Sequence, residues 1–430
     1  MIVRAAQLWA IATMTLLEAR RRKVFAVLIL FALALLSAVA FFPSVAPEGR
    51  LRLVEIWALR AAAVFTAIVA LFLAGFSLPG DFEQKRIFLV VTKPVPKGLV
   101  FLGRFAGFAL LLAIFVATLG AVTVFFLRVV SWTSGKDFPP LVAYPRERAA
   151  SFTHARGVPH PDEPGRLAAA AADEAVLVWT FRGLNRADFP ERLRVEARLT
   201  IGSPTDPYRS AGLLHVRARA ASGRAEELRI PANTNEERLF EVPADLVEPA
   251  GTLELTFRSA DADGMIAGDA RSVVLYRKPS SFELNFARGM ALVLLQSLIV
   301  LSVTLAASTW VSAPVSILLG ILVYLVGSAH GFIREAARDV EFTLREAPGR
   351  EERVRPAEDL PPWVLKASTR ISRTVLALVP DFSHFDFSRW LLKDHAVSGG
   401  ELAEAAGRAA PPVLVLAILG TALLYFRDFG

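Results

Sequence analysis

Six histidines are the side chains best suited to acid–base or metal chemistry, but their spacing keeps them apart. They are His154, His160, His215, His330, His384 and His395. A helical zinc site places two histidines four residues apart beside a carboxylate, and no pair here has that arrangement. The chain also has no cysteine, which excludes disulfides, thiolate metal sites and cysteine nucleophiles. We therefore interpret the histidines as loop or surface residues and predict no metal site.

The glycines Gly98 and Gly103 have the spacing of a phosphate-binding loop. That motif requires a preceding strand, and its last glycine is followed by Lys and then Ser or Thr. Here Arg104 and Phe105 follow Gly103, and the stretch opens a long apolar run. The chain is therefore not predicted to hydrolyse ATP or to be an enzyme, and no cofactor is expected in it.

The composition predicts a membrane protein. Of 430 residues 54% are hydrophobic, the mean hydropathy is +0.45, and the apolar residues are clustered in long blocks, which is typical of membrane spans. The formal net charge is +7. In a multi-span protein such an excess reflects cytoplasmic loops and lipid head groups, so the lipid bilayer is expected as a partner and nucleic acid is not.

Six apolar stretches predict six transmembrane helices, each near the roughly 20 residues that a span requires. They are Val24–Phe42, Ala61–Leu78, Phe105–Leu127, Met290–Ala307, Val315–Ser328 and Val413–Tyr425. Charged residues lie only near their ends, as do Arg60, Arg104, Arg128 and Arg288. Carriers driven by ions or protons usually place ionisable groups at mid-membrane. Any transport by this chain is therefore expected to be powered by another protein.

The distribution of basic residues predicts the orientation. A basic cluster at 20–23 precedes the first span, and four basic residues lie within 85–97 after the second. By the positive-inside rule, both termini are expected in the cytoplasm of a bacterial inner membrane, with 129–286 and 332–410 outside. The apolar stretch before the cluster is not a cleavable signal, because signal peptides have the opposite order.

Residues 1–23 are predicted to form an interfacial helix on the cytoplasmic surface. Its apolar face would comprise Leu8, Trp9, Ile11, Ala12 and Leu16. The alternative is a frayed start of the first span. Residues 24–128 then hold the first three spans, 287–331 hold the fourth and fifth, and 411–430 hold the sixth with a cytoplasmic tail.

The insert at 129–286 is predicted to be an extracytoplasmic all-β sandwich preceded by an irregular linker over Ser131–Arg166. Apolar and charged residues alternate along Leu193–Ile201, which is typical of a half-buried antiparallel strand. The predicted strands are Ala175–Phe181, Leu193–Ile201, Leu213–Ala218, Arg238–Val242, Thr252–Phe257 and Ser272–Tyr276. The later segment 332–410 is left without a detailed fold, apart from an amphipathic helix carrying Trp363, Val364, Ile371, Val375, Leu376 and Leu378.

A charged connection, residues 79–98, joins the second and third spans. It is predicted to form a short amphipathic helix over Asp81–Val91, a kink at Lys93-Pro94-Val95-Pro96, and then the next span from Gly98. Such a connection suits docking to a soluble partner. The contact residues would be Asp81, Phe82, Glu83, Lys85, Arg86, Phe88, Lys93 and Pro94. The alternative is that these charges only enforce orientation.

This order of motifs resembles the permease subunits of ABC type-2 transporters. It comprises Asp81 and Glu83, then Thr92-Lys93-Pro94-Val95, then Gly103-Arg104-Phe105-Ala106-Gly107. Pro96 stands where a small polar residue is common in the family, and Arg104 where Lys is common. The resemblance covers the six-span layout but not the insert. It implies a separate ABC ATP-binding subunit that binds ATP and magnesium, and a second permease subunit in a homo- or heterodimer.

Two further features have open interpretations. Gly103 and Gly107 could let two helices approach closely, or they could simply be tolerated near a span end. Gln296 is expected to form an interhelical hydrogen bond rather than to bind substrate. The predicted function is a permease subunit for an unknown substrate, and the resemblance implies export. The alternative is a membrane-anchored protein whose β domain binds a partner without transport.

Overall fold

The structure is a computed structural model that describes most of the chain. The described residues are 2–21, 26–41, 47–83, 96–133, 144–159, 167–203, 206, 210–248, 251–334, 379–388 and 396–426, with single positions between 363 and 376. They divide into two compact units. The helical unit comprises Met1–Leu141, Phe282–Lys393 and Gly399–Gly430, and the β unit comprises Val142–Ser281 and Asp394–Ser398.

The long helices of the helical unit follow the apolar stretches of the sequence. They are α1 (Ile2–Arg21), α2 (Ala26–Phe41), α3 (Pro47–Glu83), α4 (Lys97–Thr133), α5 (Phe282–Ala307), α6 (Ala313–Ser328) and α7 (Gly399–Phe426). The described helical positions between 363 and 376 are Trp363, Ala367, Arg370, Thr374 and Leu376.

Four helices are long and apolar enough to cross a membrane. The qualifying segments are Leu53–Asp81, Lys97–Val130, Phe282–Ala307 and Gly399–Phe426. Helices α2 and α6 have 16 residues each, about 24 Å at 1.5 Å per residue, against a hydrocarbon core of about 30 Å. The chain therefore has a helical membrane part. The count of six spans, the membrane type and the orientation stay predictions.

Four helices are much longer than the spans predicted from the sequence, namely α3, α4, α5 and α7, and α4 and α5 extend into the predicted insert 129–286. Helix α3 begins at Pro47 and continues through Pro79 to Glu83, so it includes much of the stretch between the first two predicted spans. Asp81 lies within its last turn and does not begin a separate helix, and residues 84–91 of the predicted short helix lie outside the described residues. Helix α7 begins at Gly399 and continues through two prolines, so 399–410 joins the last predicted span.

The β unit contains thirteen described strands. They are β1 (Arg146–Arg148), β2 (Ser151–Ala155), β3 (Val158–Pro159), β4 (Leu167–Ala170), β5 (Val176–Arg182), β6 (Arg192–Arg198), β7 (Thr200–Gly202), β8 (Ala211–Ala220), β9 (Ala225–Asn233), β10 (Glu237–Pro243), β11 (Thr252–Ser259), β12 (Met265–Gly268) and β13 (Val273–Tyr276). Their orders are β1-β13-β6-β10, β2-β5-β11-β8-β9 and β3-β4-β12-β7. All pairings are antiparallel.

One hydrophobic core joins the sheets, which is the arrangement that sheet-on-sheet packing requires. Trp179 of β5 is fully buried and its indole N–H donates to the carbonyl of Asp269 at 2.9 Å. Its ring packs edge-to-face on Phe257 at 5.2 Å, and Phe257 meets Phe240 of another sheet at 6.2 Å. Buried aromatic rings of this size dominate core energetics, so this cluster anchors the unit.

A buried polar pair lies in the same unit. The Tyr276 hydroxyl donates to the carboxylate of Glu196, and both residues are buried. Burial, followed by the hydrogen bond to Glu196, raises the pKa of Tyr276 far above its ordinary value. The phenol therefore remains a protonated donor at physiological pH, and the pair fixes β13 beside β6.

The predicted irregular linker Ser131–Arg166 contains the strands β1, β2 and β3, so that part of the prediction was wrong. These strands escaped the sequence pattern because they are short and lie next to Pro, His and Arg. Strand β1 has no apolar residue at all and is held by pairing with β13. The predicted strand Leu193–Ile201 divides into β6 and β7, which belong to different sheets.

We expect a fragment spanning 142–281 to fold alone, and a fragment spanning 170–280 to be less stable. The shorter piece lacks β1, β2, β3 and most of β4, and with β2 it loses Phe152, which stacks on Trp179 with ring centroids 4.6 Å apart. Loss of this ring contact and of these strands should lower the melting temperature by at least roughly 5–10 °C. Circular dichroism of both fragments would measure this. Equal melting temperatures would show that the early strands do not contribute to the core.

Candidate functional site in the helical unit

Only part of the charged connection, residues 79–98, lies in the described structure. Asp81 occupies the last turn of α3, and Phe82 and Glu83 complete that helix. The other predicted contact residues, Lys85, Arg86, Phe88, Lys93 and Pro94, lie outside the described residues. The partner contact assigned to this segment therefore stays a prediction.

Asp81 and Arg104 form a buried ion pair between α3 and α4. The Arg104 guanidinium donates through Nη2 to the Asp81 carboxylate and through Nη1 to the Ser77 hydroxyl. The side chains of Arg104 and Asp81 are 13% and 9% exposed. Arg104 was noted in the sequence as a charge near the end of a span, and its pairing joins the end of α3 to the first turns of α4. We call this cluster the Asp81–Arg104 pair.

Gly103 and Gly107 form the surface on which α1 packs. A Cβ built on Gly107 would lie 2.7 Å from the carbonyl oxygen of Ala12, and one on Gly103 would lie 2.7 Å from a methyl group of Ile11. The glycines therefore permit the close helix approach that was one of the two interpretations. Trp9, also assigned to the apolar face of this predicted interfacial helix, is 60% exposed, and the interfacial position of α1 stays a prediction.

Replacing Gly107 with Ala should weaken the packing of α1. The new methyl group would overlap the backbone of Ala12, and overpacking of this kind costs about 1–3 kcal/mol. The matched control is Gly80→Ala in α3, where a Cβ would meet nothing within 4 Å. Thermal unfolding of the purified variants in detergent would compare them. An equal effect of both changes would contradict the close approach.

A cavity of about 310 Å³ lies between α3, α5, α6 and the segment 382–388. Its wall is mainly apolar and aromatic, with a few polar side chains. The lining residues are Leu59, Arg60, Ala63, Val64, Val293, Gln296, Tyr324, Ser328, Gly331, Phe332, Phe382, Ser383, Phe385, Asp386, Phe387 and Ser388. A concave apolar site with a few polar groups is the usual form of a small-molecule site.

Gln296 lies in the wall of this cavity. Its side chain is only 8% exposed, and within the described part of the chain the amide makes no hydrogen bond. The expected interhelical hydrogen bond is therefore not formed with any described residue. A buried polar group without a partner costs about 1–3 kcal/mol, so the amide is suited to a ligand or to water in the cavity.

The segment 381–388 repeats the sequence Asp-Phe-Ser and closes the cavity. Asp381 Oδ1 accepts from the backbone N–H of Ser383 at 2.9 Å, and Asp386 Oδ1 accepts from that of Ser388 at 3.1 Å. The two turns direct Phe382 and Phe387 inward, where both are buried. Each ring occupies the space beside a helix glycine, Gly327 for Phe382 and Gly289 for Phe387.

The other carboxylate oxygen of Asp381 lies beside one arginine and two histidines. Oδ2 lies 2.8 Å from Nη2 of Arg334, 3.3 Å from Nδ1 of His330 and 3.6 Å from Nε2 of His384. His330 Nε2 is 3.2 Å from the carbonyl oxygen of Leu376. This cluster ties the end of the α6 region to the segment 381–388.

The surroundings lower the pKa values of two groups in this cluster, Asp381 and His384. Burial alone would raise the pKa of Asp381, but hydrogen bonds from the side chain and backbone of Ser383, followed by the charges that His330 and His384 carry when protonated, outweigh it, so the pKa lies below its ordinary value. Burial, followed by the charge of Arg408, lowers the pKa of His384. Both shifts favour ionised Asp381 and neutral His384 in the folded chain.

Comparison with known proteins adds little to this geometry. No family model and no curated protein matches the chain. Among solved structures, the enzymatically active domain of tailspike protein 4 from bacteriophage CBA120 matches with 12% identity and a TM-score of 0.18. That match covers 32% of this chain and 19% of the tailspike chain. At this score it carries no argument about fold or function.

The cavity residues of segment 381–388 were missed by the sequence interpretation. The repeated Asp-Phe-Ser, within a long stretch rich in charged residues, was the available signal. Asx turns favour Asp two residues before a Ser N–H, and three phenylalanines in six residues indicate burial. His330 and Arg334 gave no such signal, because their partner is 47 residues away from Arg334 along the chain.

Proposed function

We propose that this chain is the membrane subunit of a transporter whose energy comes from a separate ATP-binding protein, as in ABC type-2 systems. The motif order around 81–107 supports this proposal. The observation that carries it is the Asp81–Arg104 pair, because it joins α3 and α4 at the two ends of the charged connection. ATP and magnesium would be bound by the partner, and a second permease subunit would complete the membrane pathway.

The pair suggests how a movement would reach the membrane. Residues 84–95 leave α3 after Glu83 and enter α4 at Lys97. A buried, charge-assisted contact between the two helix ends resists their separation. A displacement applied to the connection would therefore move α3 and α4 together as rigid elements, which is a common form of conformational coupling.

A second candidate function is a membrane anchor for a binding module. It is favoured by the β unit, which has a hydrophobic core of its own. In this case the β unit would hold a partner and nothing would cross the membrane. The two functions predict different binding partners for the chain.

Purification of the full chain from its native membranes distinguishes them. The transporter proposal predicts that an ATP-binding cassette protein co-purifies and that its ATP turnover changes in the complex. The anchor predicts a companion that stays bound to the isolated β unit, with no associated ATPase. Co-purification of only the latter kind would refute the transporter proposal.

A further inference from the structure

We infer that the cavity between α3, α5, α6 and the segment 382–388 binds the anionic head group of a membrane lipid, whose chain lies along α3. The inference is independent of any ATPase, because it concerns a binding site of the chain itself. It rests on three observations: unused polar groups in the cavity, a cationic group at its wall, and an apolar path leading from it.

The unused polar groups are those of Gln296 and Tyr324. Gln296 is more than nine-tenths buried and lines the cavity. Within the described residues, neither its amide nor the Tyr324 hydroxyl makes a hydrogen bond. Both can donate and accept, so together they suit the hydroxyl and ester oxygens of a lipid backbone. A cavity lined only by apolar groups would not select such a ligand.

The cationic group is Arg60. Its Nε donates to the Ser388 hydroxyl at 3.2 Å, and Ser388 also donates to the carboxylate of Asp386. This contact holds the guanidinium at the cavity and leaves its terminal nitrogens without a bond to any described residue. Guanidinium donors match the geometry of phosphate oxygens. Asp386 also lines the cavity, where its carboxylate accepts from the backbone N–H and hydroxyl of Ser388. Arg60 is therefore the group at this end of the cavity that suits an anionic phosphate.

The apolar path begins at Val64, which lines the cavity. Val64, Ile68, Phe72 and Phe76 recur every fourth residue of α3 and are 45%, 37%, 52% and 42% exposed. Residues at this spacing share one helix face, and the stripe is about 18 Å long at 1.5 Å per residue. That length is close to half of a hydrocarbon core of about 30 Å. A lipid chain would lie along the stripe while its head group remains in the cavity.

A small soluble phosphate would satisfy Arg60 but would leave the stripe uncovered. A second copy of the chain could cover the stripe but would not fill the cavity. The lipid satisfies both at once, because its charged and apolar parts are joined in the order in which α3 presents Arg60 and then Val64 to Phe76.

Native mass spectrometry of the purified full chain in detergent would test this assignment. The chain would be titrated with dioleoyl phosphatidylglycerol, with dioleoylglycerol, which lacks the phosphate, and with glycerol 3-phosphate, which lacks the chains. We expect phosphatidylglycerol to bind at least about tenfold more tightly than either fragment, because dioleoylglycerol lacks the charge-assisted hydrogen bond and glycerol 3-phosphate lacks the apolar chains that would be buried. Equal binding of either fragment, or a dimer that excludes the lipid, would overturn the inference.

Three variants and a control locate the site. Arg60→Gln and Gln296→Leu each remove one polar contact and should weaken phosphatidylglycerol binding about tenfold. Ala63→Leu narrows the cavity without removing any polar group, and should also weaken binding. Arg128→Gln removes an arginine from the end of α4, where it pairs with Glu283 away from the cavity, and should bind like the unaltered chain. Lipid binding that none of the first three changes affects would refute this site.

Discussion

Replacing Arg104 with Met should destabilise the helical unit by about 3–5 kcal/mol. The change leaves the Asp81 carboxylate without its cationic partner at a position where its side chain is only 9% exposed. Breaking a buried pair on one side costs this much, because the remaining charge is no longer compensated. Chemical denaturation of the purified chain in detergent, followed by tryptophan fluorescence, would measure the free energy of unfolding.

Two further variants make this result interpretable. Arg128→Met removes an arginine from the same helix, but its pair with Glu283 is 72% and 43% exposed. Exposed pairs contribute about 0–1 kcal/mol, so this control should be nearly neutral. The double change Asp81→Asn with Arg104→Met removes both charges and should recover part of the stability. Equal losses from Arg104→Met and Arg128→Met would contradict the buried pair.

Replacing Asp381 with Asn should be the next largest change, about 2–3 kcal/mol. The carboxylate accepts from the Ser383 backbone and hydroxyl and lies beside Arg334, His330 and His384. Hydrogen bonds to a charged group are worth about 1.5–3 kcal/mol each, although Arg334 is 46% exposed and solvent weakens its share. The segment 381–388 should become more accessible to protease in this variant.

The same substitution should have a defined pH dependence. Because the folded pKa of Asp381 lies below its ordinary value, its contribution is present above the unfolded pKa of about 3.9. It is lost as the pH falls through the folded value. The stability difference between the unaltered chain and Asp381→Asn should therefore shrink as the pH falls below about 4. A difference that stays unchanged down to about pH 2 would contradict the ionised carboxylate.

The sequence indicated the helical membrane part and the β domain because both produce local patterns. Long apolar stretches indicated the helices, and alternating apolar and charged residues indicated the strands. The alternation of Leu193, Val195 and Ala197 with charged residues is fulfilled by β6. Strand β9, Ala225–Asn233, was missed because it pairs on one side only and most of its residues are exposed or half-buried. Pairing with a neighbour, and not its own pattern, makes it a strand.

The site could be predicted only where its residues are close in the sequence. Gly103 and Gly107 stand one helical turn apart, so their common face was evident. Arg104 and Asp81 are joined by a contact 23 residues apart, and the sequence alone did not indicate that pairing. Gln296 was noticed for its polarity within an apolar run, but its position in a cavity depends on α3, α6 and the distant segment 382–388.

The central proposal, that a separate ATPase acts on the chain through the connection between α3 and α4, is tested most directly by ATP turnover. The partner would be reconstituted in liposomes with the unaltered chain, with Glu83→Lys or with Phe88→Ala, after insertion of each variant is verified. An anchor residue typically contributes about 2 kcal/mol, which corresponds to about thirtyfold weaker association. We predict that both variants insert normally but lose co-purification and stimulated turnover. Unchanged stimulation by both variants would contradict the proposal.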